Sequence, residues 1–278
     1  MIVYLDCSLS FSLVFDRIAR EEIDMPRESN LFVLERYNRI SEYIKEKGRA
    51  TIEELTEALY VSPATIRRDL NEMQRLGMLK RTHGGAIHID TGDEVSIFVR
   101  MDRDGEEKER ASSVALAHMP AFNSVFIDNS STCLCLAEKM DLSFKTVVTN
   151  GMQLVNRIAG KKDVDLILLG GVVYHNGEAT RGPFAAEMLQ MFRFDLMLMG
   201  AASIRPDGAY EHSLETVEIK RTAYARSDQH ILVVGQSKFE AQSTYRVRDL
   251  EGFDLICTDA PSSALHEYKD RGIRIVNR

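Results

Sequence analysis

Seven short apolar runs between residues 124 and 277 constrain the fold of this chain more than any other feature. They read SVFID, TVVTN, DLILLG, DLMLMG, HILVVG, DLICTD and IRIVN, and helix-like segments separate most of them. Apolar strands that alternate with helices form a mostly parallel sheet that is covered on both faces. We therefore predict an α/β domain over residues 107–278, preceded by a linker at 91–106.

Several of these runs end in small polar residues or glycine. The ends read Asp128-Asn129-Ser130-Ser131-Thr132, Thr149-Asn150-Gly151, Gly170-Gly171 and Gly200-Ala201. In open α/β sheets, ligands bind beyond the carboxyl ends of the strands. A hydroxyl-rich loop that leads into a helix also offers hydroxyl and N–H groups to an anion. Together these ends predict a small-ligand site, whereas each loop taken alone favours an ordinary strand-to-helix turn.

A second pattern, at residues 31–90, predicts a winged helix-turn-helix. Apolar residues spaced by three and four from Val33 to Ile44 indicate a first helix. Thr51 and Glu54 form a capping box at the start of the second helix, and Ser62-Pro63 begins the third. The run MLKRTHGGAI then predicts two short strands around a glycine turn, which completes the fold.

The third helix gives this domain its expected function. Ile66, Leu70 and Met73 share one side and pack inward, so small and cationic residues occupy the opposite side. Such a face enters a major groove, where arginine pairs with guanine and asparagine with adenine, while the hairpin cations reach phosphates or the minor groove. Gly84 and Gly85 let the backbone turn sharply and approach DNA closely. The expected DNA-binding residues are Thr51, Ser62, Ala64, Thr65, Arg67, Arg68, Asn71, Arg75, Lys80, Arg81, His83, Gly84 and Gly85.

The charge distribution supports a nucleic-acid partner for this segment. The net charge is −7, yet residues 31–90 carry 10 Lys and Arg against 9 Asp and Glu. The acidity lies elsewhere, with 3 basic against 6 acidic residues in 1–30 and 22 against 27 in 91–278. A merely solvated cationic face is the alternative, and it leaves the capping box, the Ser-Pro start and the glycine wing unexplained.

The four cysteines indicate a reducing compartment. Cys7, Cys133, Cys135 and Cys257 are too few and too scattered for a disulfide framework, which favours the cytoplasm. Cys133 and Cys135 have no second pair and no nearby histidine, so we interpret them as small apolar fillers. We predict no metal site and no cofactor.

The N-terminal residues 1–30 are expected to be an extension without an assigned role. Asp6 and the absence of a basic region make this segment a poor signal peptide, and a start at Met25 is the alternative. No apolar run approaches the roughly 20 residues that cross a bilayer, so no membrane partner is expected.

Two parts of the chain resemble the DeoR family of bacterial transcription regulators. Residues 36–87 resemble its DNA-binding domain through GRATIEEL, VSPATIRRDLNEM and LKRTHGGA. Residues 107–259 resemble its sensor domain, which is similar to sugar-phosphate isomerases of the ribose-5-phosphate isomerase and glucosamine-6-phosphate deaminase kind. The sensor match runs through Asp128, Thr149-Asn150, LLGG (168–171), SLETVEIKR (213–221), Ser237-Lys238 and TD (258–259).

The resemblance implies a site for a phosphorylated sugar. It implies a phosphate cradle formed by Asp128, Asn129, Ser130, Ser131 and Thr132. It also implies that the site is lined by Thr149, Asn150, Gly170 and Gly171, with charge supplied by Glu215, Lys220 and Lys238. Hydroxyls, N–H groups and a lysine are the groups that bind phosphate. A solvated helix face with pairs at i,i+3 is the alternative for Glu215, Glu218, Lys220 and Arg221.

Two residues depart from the family pattern. Ser130 stands where the family usually has glycine, so its side chain is expected to narrow the phosphate space. Gly235 stands where the family usually has aspartate shortly before Ser-Lys. The loss of that carboxylate is expected to change which sugar hydroxyls are bound.

We therefore expect a cytoplasmic regulator that binds double-stranded operator DNA as a dimer or tetramer, since operators are usually read by symmetric oligomers. A sugar phosphate is expected to relieve repression of carbohydrate-metabolism genes. The alternative is an isomerase- or deaminase-like enzyme fused to a DNA-binding module, with Asp128, Glu215 or Glu218 as its base. No acid-base pair with the isomerase spacing is evident, so we expect no catalytic residue. A protein-interaction adaptor would leave the cationic helix without a purpose.

Overall fold

The computed structural model describes residues 27–76, 78–87, 97–102, 104–174 and 178–277. The chain divides into two compact units: residues 27–73 and 81–87 form the first, and the remaining described residues form the second. Cys7, Met25 and most of the predicted extension lie outside the described residues. Of the predicted linker, 97–102 and 104–106 are described.

Residues 27–76 and 78–87 form three helices and a small sheet. The elements are α1 (Arg27–Lys47), β1 (Arg49–Thr51), α2 (Ile52–Leu59), α3 (Pro63–Arg75), β2 (Lys80–Thr82) and β3 (Gly85–Ile87). The sheet has the order β1-β3-β2, and β1 is antiparallel to β3. This is the predicted winged helix-turn-helix, with one additional strand, β1, that the sequence pattern does not predict.

The helix boundaries follow local signals in the sequence. Apolar side chains between Tyr37 and Ile44 are buried along one side of α1. Gly48, at φ +74°, ends that helix in a left-handed conformation that glycine adopts without strain. At α2 the predicted capping box is confirmed, because the Glu54 N–H donates to Thr51 Oγ1 at 3.2 Å and the Thr51 N–H donates to Glu54 Oε2 at 2.8 Å.

The second unit is built on a seven-stranded parallel sheet. Its strands are β4 (Ser124–Ile127), β5 (Lys145–Thr149), β6 (Val164–Leu168), β7 (Val172–Tyr174), β8 (Ala179–Arg181), β9 (Phe194–Met199), β10 (Ser203–Arg205), β11 (Gly208–Glu211), β12 (Ser227–Val234), β13 (Tyr245–Arg248), β14 (Leu255–Thr258) and β15 (Ile275–Val276). The large sheet has the order β15-β14-β12-β9-β4-β5-β6, while β10-β11-β13 and β7-β8 form two smaller antiparallel sheets. The seven apolar runs form the seven strands of the large sheet, as predicted.

Helices cover both faces of this sheet. They are α4 (Ile97–Asp102), α5 (Gly105–Ala117), α6 (Ser131–Lys139), α7 (Met152–Ile158), α8 (Pro183–Leu189), α9 (Leu214–Ala225) and α10 (His266–Asp270), with short 3₁₀ helices at Gln236–Phe239, Leu250–Gly252 and Ser262–Leu265. Val125 and Ile127 of β4 join the core formed with α5, α6 and α7. Phe126, between them, joins the opposite core formed with α8 and α9. Burial on both faces explains why the strands are continuously apolar.

The strand order reverses beside β4. After β4 the chain extends the sheet through β5 to β6, and it then crosses to the other side of β4 to form β9 and continue to β15. Ligands of open α/β sheets bind at such a switch point, beyond the carboxyl ends of the strands. The residues after Ile127 and after Met199 therefore lie where a ligand is expected.

Among the described residues, no helix combines the length and apolarity that crossing a bilayer requires. In the same part of the chain, no three His, Cys, Asp or Glu side chains are grouped so that they could hold a metal ion. Cys133 is buried and Cys135 is half-buried on α6, and burial raises the pKa of both thiols. Protonated, buried thiols agree with their interpretation as small apolar fillers.

Candidate functional site

In the first unit, α3 is oriented by its cap and its buried side. The Thr65 N–H donates to Ser62 Oγ at 3.1 Å, so Ser62 caps the helix as predicted. Ile66, Leu70 and Met73 are fully buried, which confirms the predicted inward face. The opposite face is consequently turned outward.

That outward face carries the predicted cations and asparagine. Of the predicted DNA-binding residues on α3, the exposed ones are Ala64, Arg67, Arg68, Asn71 and Arg75. Of the other predicted DNA-binding residues, Thr51, Ser62, Lys80, His83 and Gly84 are exposed, Thr65 and Arg81 are half-buried, and Gly85 is buried. The cationic side chains of α3 thus share one accessible surface, the arrangement that major-groove reading requires.

Arg81 of the wing lies against this face of α3. Its Nη1 donates to Asn71 Oδ1 at 2.5 Å and to the Arg67 carbonyl oxygen at 3.4 Å. Arg81 therefore joins the wing to α3 in addition to any contact with phosphate. Asn71 keeps its amide N–H donors and a second lone pair on Oδ1, so the bond is compatible with contact to an adenine.

The two glycines of the wing, Gly84 and Gly85, differ in the space that the structure leaves for a side chain. Gly85 pairs with Thr51 between β3 and β1. A Cβ on Gly85 would overlap the Ala50 carbonyl oxygen and lie 2.8 Å from Thr51 Cα. Gly84 has open space around the corresponding position. The expected close approach to DNA therefore does not explain Gly85, which is required by the sheet itself.

A partly buried ion pair that the sequence pattern does not predict connects α3 to α1. Arg36 Nε and Nη2 donate to the two oxygens of Asp69 at 2.5 and 2.9 Å. Asp69 is 3% exposed, and its hydrogen bond raises the pKa of Arg36. Because a two-bond fork fixes direction as well as distance, the pair holds α3 against α1 in a defined geometry.

We expect the two halves of this ion pair to differ in importance for stability. Arg36→Ala leaves the buried Asp69 charge uncompensated and is expected to lower the free energy of unfolding by about 3–5 kcal/mol. Asp69→Ala leaves an arginine that can reach water, so a loss of about 1–3 kcal/mol is expected. Urea unfolding of the full chain measures both, with exposed Arg39→Ala as the control. Effects that simply add in the double variant would contradict a direct pairing.

In the second unit, the loops at the switch point enclose a cleft with an empty volume of about 490 Å³ that is open to solvent. It brings together six of the predicted effector residues: Asn129, Ser130, Ser131, Thr132, Lys220 and Lys238. It is completed by Arg100, Gly200, Ala201, Ala202, Glu211 and His212. Hydroxyls and cations face one space, a combination suited to an anionic, hydroxylated ligand.

Lys220 is held between two carboxylates at this cleft. Its Nζ lies 2.9 Å from Asp128 Oδ2, bonds to Glu211 Oε1, and donates to the Gly200 carbonyl oxygen at 2.8 Å. All three charged side chains are buried. Burial opposes the charge on Lys220, but the two carboxylates outweigh it and raise the pKa of Lys220 above its ordinary value. Burial likewise opposes the charge on Asp128. The attraction of Lys220 is larger than this effect of burial, so the pKa of the Asp128 carboxyl is lowered.

Asp128 ties the two loops of the switch point together. Its Oδ1 accepts from the Ser130 N–H and its Oδ2 from the Gly200 N–H, each at 3.0 Å. The carboxylate is 1% exposed and lies outside the cleft lining. Asp128 therefore organises the predicted phosphate loop rather than lining the cleft.

The loops after β5 and β6 do not join this cleft. Thr149 is buried and its Oγ1 accepts from the N–H two residues later, while Asn150 is buried and donates to the Thr180 carbonyl oxygen at 3.1 Å. Gly170 and Gly171 follow β6, at the edge of the sheet. Because β5 and β6 lie on the far side of β4 from β9, their ends are displaced from the switch point.

The residues of α9 separate into two groups. Glu215 and Glu218 are exposed and outside the cleft lining, as the solvated-face alternative predicts. Lys220 is buried, so that alternative is wrong for it. Arg221 donates to the carbonyl oxygens of residues 246 and 247, which fixes α9 to β13.

The Ser130 side chain has a structural role at the cleft. Its Oγ accepts from the Cys133 N–H at 3.2 Å and caps α6. A Cβ on Gly200 would lie 2.6 Å from both Cβ and Oγ of Ser130. The side chain at position 130 therefore occupies space that glycine at position 200 leaves open.

Carboxylates from other elements stand beside Gly235. The N–H groups of the next two residues donate to Asp259 Oδ1 at 2.8 Å and Glu107 Oε2 at 3.1 Å. A Cβ on Gly235 would lie 2.9 Å from Glu107 Oε2. Glu107 and Asp259 thus bind the start of the 3₁₀ helix that carries Lys238.

Sequence reasoning missed three residues of the cleft: Arg100, Glu211 and His212. Gly200-Ala201 is one of the strand ends that predicted a small-ligand site, and it lines the cleft together with Ala202. Arg100 and Glu211 carry no local signal, since they reach the cleft only through long-range packing.

Comparison with known families bears on both units. The model described as "DeoR C terminal sensor domain" matches residues 103–260, and the "DeoR-like helix-turn-helix domain" matches residues 36–92. The Glycerol-3-phosphate regulon repressor of Escherichia coli K12 is 32% identical over 229 residues, 82% of this chain and 91% of that protein. The HTH-type transcriptional regulator GolR of Listeria innocua serovar 6a is 29% identical over 250 residues, 88% of this chain and 98% of that protein.

Among solved structures, ribose 5 phosphate isomerase A from Neisseria gonorrhoeae is similar to part of this chain. The identity is 14%, the TM-score is 0.34, and the match covers 49% of this chain and 53% of that one.

Proposed function

Because this chain belongs to the DeoR family of transcriptional regulators, we propose that it represses carbohydrate-metabolism genes and that a phosphorylated sugar in the sensor cleft relieves the repression. The observation that carries the proposal is the cleft at the switch point, where the Ser130-Ser131-Thr132 loop faces Arg100 and Lys238. Hydroxyls, helix-terminal N–H groups and cations together bind a phosphate, while the Glu211 carboxylate can accept from sugar hydroxyls. The names of related repressors, among them the Glycerol-3-phosphate regulon repressor, support the same class of effector.

The outward face of α3 supplies the DNA contacts in this proposal. We propose that Arg68 and Arg67 pair with guanine edges and Asn71 with adenine, while Lys80 and His83 contact phosphates; their exposure on the outward face supports this. Symmetric operators require at least two copies, so a dimer or tetramer is part of the proposal. A regulator of this kind acts where the DNA is, which places it in the cytoplasm.

A sensing role fits the carboxylates of the cleft better than catalysis. An isomerase needs a carboxylate free to take a proton from carbon. Asp128 and Glu211 are both bound to Lys220, and Glu215 and Glu218 lie outside the cleft lining. We therefore propose that the chain binds its sugar without converting it.

Fluorescence anisotropy tests this proposal. Labelled DNA from beside the chain's own gene is titrated with protein and then with a panel of sugar phosphates. We expect tight binding at moderate salt and release by one sugar phosphate. Arg68→Ala is expected to weaken binding by about 1–3 kcal/mol and to relax base preference at one position. Lys162→Ala, an exposed change in the sensor unit, is the control.

The outcomes separate the two parts of the proposal. DNA binding that no sugar phosphate alters would contradict the effector class. Turnover of a sugar phosphate by the purified chain would contradict the non-catalytic role. Equal weakening of Arg68→Ala on every DNA sequence would make Arg68 a phosphate contact.

A further inference from the structure

Exposed apolar side chains are concentrated in one part of the sensor unit. Within the described part of the chain, ten large apolar side chains are exposed, and six of them lie between Leu168 and Leu214. Four of these six are more than half exposed: Val172 of β7 at 61%, Phe184 of α8 at 71%, Met191 just beyond α8 at 80%, and Leu214 at the start of α9 at 61%. None of the four lines the effector cleft, so effector binding does not explain their exposure.

The β7–β8 hairpin meets the first turns of α8 and α9. A Cβ on Gly182, which immediately precedes α8, would lie 3.9 Å from Val172 Cγ2. Arg181 pairs with Val172 across the hairpin, and its Nη1 donates to the Oγ of Ser213, the residue that caps α9, at 3.2 Å. α8 and α9 also pack against each other. The exposed side chains of β7 and of these two first turns therefore form one surface.

The same surface continues along α8 to Met191. The N–H groups of residues 190 and 191 donate to the carbonyl oxygens of residues 187 and 188 at 3.0 and 3.1 Å, so the helical turn extends to Met191. Met191 follows Phe184 by seven residues, which is two turns, and thus shares its side of the helix. Between them, Met188 Sδ accepts from the Gly170 N–H at 3.3 Å. We call this surface the edge patch: Val172, Phe184, Met191 and Leu214.

The edge patch has the size of the apolar part of a protein interface. Each of its side chains leaves on the order of 100 Å² of apolar surface in water, so the four together expose about 400 Å². The largest apolar patch on a monomeric protein covers about 300–600 Å² and is often functional. A standard interface buries about 800 Å² on each partner, of which somewhat more than half is apolar. The edge patch therefore supplies most of the apolar area that one side of such an interface needs.

Charged residues of both signs adjoin the edge patch. Glu187 of α8 and Glu215 of α9 are exposed, and so is Arg193, which follows Met191 by two residues. A nucleic acid or an anionic membrane would require a surface of predominantly positive charge. A surface with both signs suits a second copy of itself, because a two-fold axis places a residue of one copy opposite a different residue of the other.

We propose that two copies of this chain associate through the edge patch in a two-fold symmetric contact. The inference rests on the proposed function, in which a symmetric operator requires at least two copies. A two-fold contact uses the same patch on both copies, so one patch is sufficient to close a dimer. Aromatic residues and methionine are enriched in interface cores, and Phe184 lies where the hairpin and both helices meet. Phe184 is therefore the expected centre of the contact.

Sedimentation equilibrium of the full chain, without DNA or effector, tests this contact. We expect the wild type to be a dimer, or a tetramer that contains this dimer. Phe184→Asp is expected to halve the mass and to raise the dissociation constant of the contact at least about 30-fold, the effect of losing a hot-spot residue, because a carboxylate would be buried without a partner. Met191→Asp is the second variant, and it is expected to weaken the same contact.

Phe144→Asp is the matched control. Phe144 lies just before β5, outside the edge patch, and is 82% exposed. Its φ of 58° is in the left-handed region, which aspartate adopts more readily than most residues. The same substitution at a comparably exposed phenylalanine is therefore expected to leave the mass unchanged. Thermal unfolding confirms that each variant is folded.

The outcomes distinguish this inference from the proposed function. A monomeric wild type, or a wild-type mass in both Phe184→Asp and Met191→Asp, overturns the edge patch as the contact. Equal dissociation in Phe144→Asp overturns its location. Sugar-phosphate binding by Phe184→Asp is measured by calorimetry and is expected to stay within about twofold of the wild type, since the patch lies outside the cleft. If no sugar phosphate releases DNA from the wild type, the proposed effector fails, while sedimentation still decides where the copies meet.

Discussion

Gly85→Ala is expected to abolish operator binding. The added Cβ overlaps the Ala50 carbonyl oxygen and lies 2.8 Å from Thr51 Cα, so β1 and β3 cannot keep their pairing. Both contacts are backbone atoms of a neighbouring strand, which cannot move aside as a flexible side chain does. Overpacking of this kind costs about 1–3 kcal/mol or more, and here it also displaces the wing from α3.

Gly84→Ala is the matched control for this prediction. The neighbouring glycine has no atom within 4 Å of an added Cβ, so the variant is expected to fold and to keep the pairing of β1 with β3 as the wild type does. Anisotropy with operator DNA and thermal unfolding are measured on both. Wild-type binding by Gly85→Ala would show that the wing tolerates separation of β1 from β3, and it would contradict the structural role given to this glycine.

Lys220→Met is expected to destabilise the sensor unit by about 3–5 kcal/mol. The change keeps most of the side-chain volume but leaves Asp128 and Glu211 buried without their cation, and an uncompensated buried charge is costly. Effector binding is expected to be lost, because Asp128 also holds the Ser130 and Gly200 N–H groups. Urea unfolding measures the loss, with exposed Lys162→Met as the control.

The pH dependence of the stability of Lys220→Met shows whether an uncompensated buried charge causes the expected loss of stability. In the wild type, the lowered pKa of Asp128 contributes stability that is present above the ordinary aspartate value and is lost as the pH falls through the lowered value. This cluster therefore changes wild-type stability little between about pH 5 and 7. In Lys220→Met, burial favours the protonated form of Asp128, so stability is expected to rise as the pH falls over the same interval. A variant that loses stability on acidification would contradict this account.

The large sheet is predictable because each strand carries its own signal. SVFID and DLMLMG are buried on both faces, and burial on both faces demands a continuous apolar run. β1 is not predictable in this way, since Arg49–Thr51 contains one apolar residue and forms only by pairing with β3. The helix caps and the buried side of each helix could also be predicted. Like the strands, they are determined by residues that lie close together in the sequence.

The ligand site is less predictable because it depends on strand order. The loops after β4, β5 and β6 look equivalent in sequence, yet only the first lies beside β9 at the switch point. The pairings Arg36–Asp69 and Asp128–Lys220 join positions far apart in the chain. The local sequence around one partner therefore does not indicate the other. Lys220 illustrates the limit well: its helix spacing fits a solvated face, and only the packed structure shows that it is buried.

The bond from the Gly200 N–H to Asp128 spans 72 residues of chain, and this has a consequence for the newly made protein. Domains fold largely in the order in which they leave the ribosome. The α3 surface is complete once residue 87 has emerged, whereas the sensing cleft requires Lys220 and Lys238, which are synthesised much later. A chain truncated between these points would retain the parts that contact DNA and lack the parts that bind the sugar. Premature termination in that interval is therefore expected to yield a repressor that no effector can release.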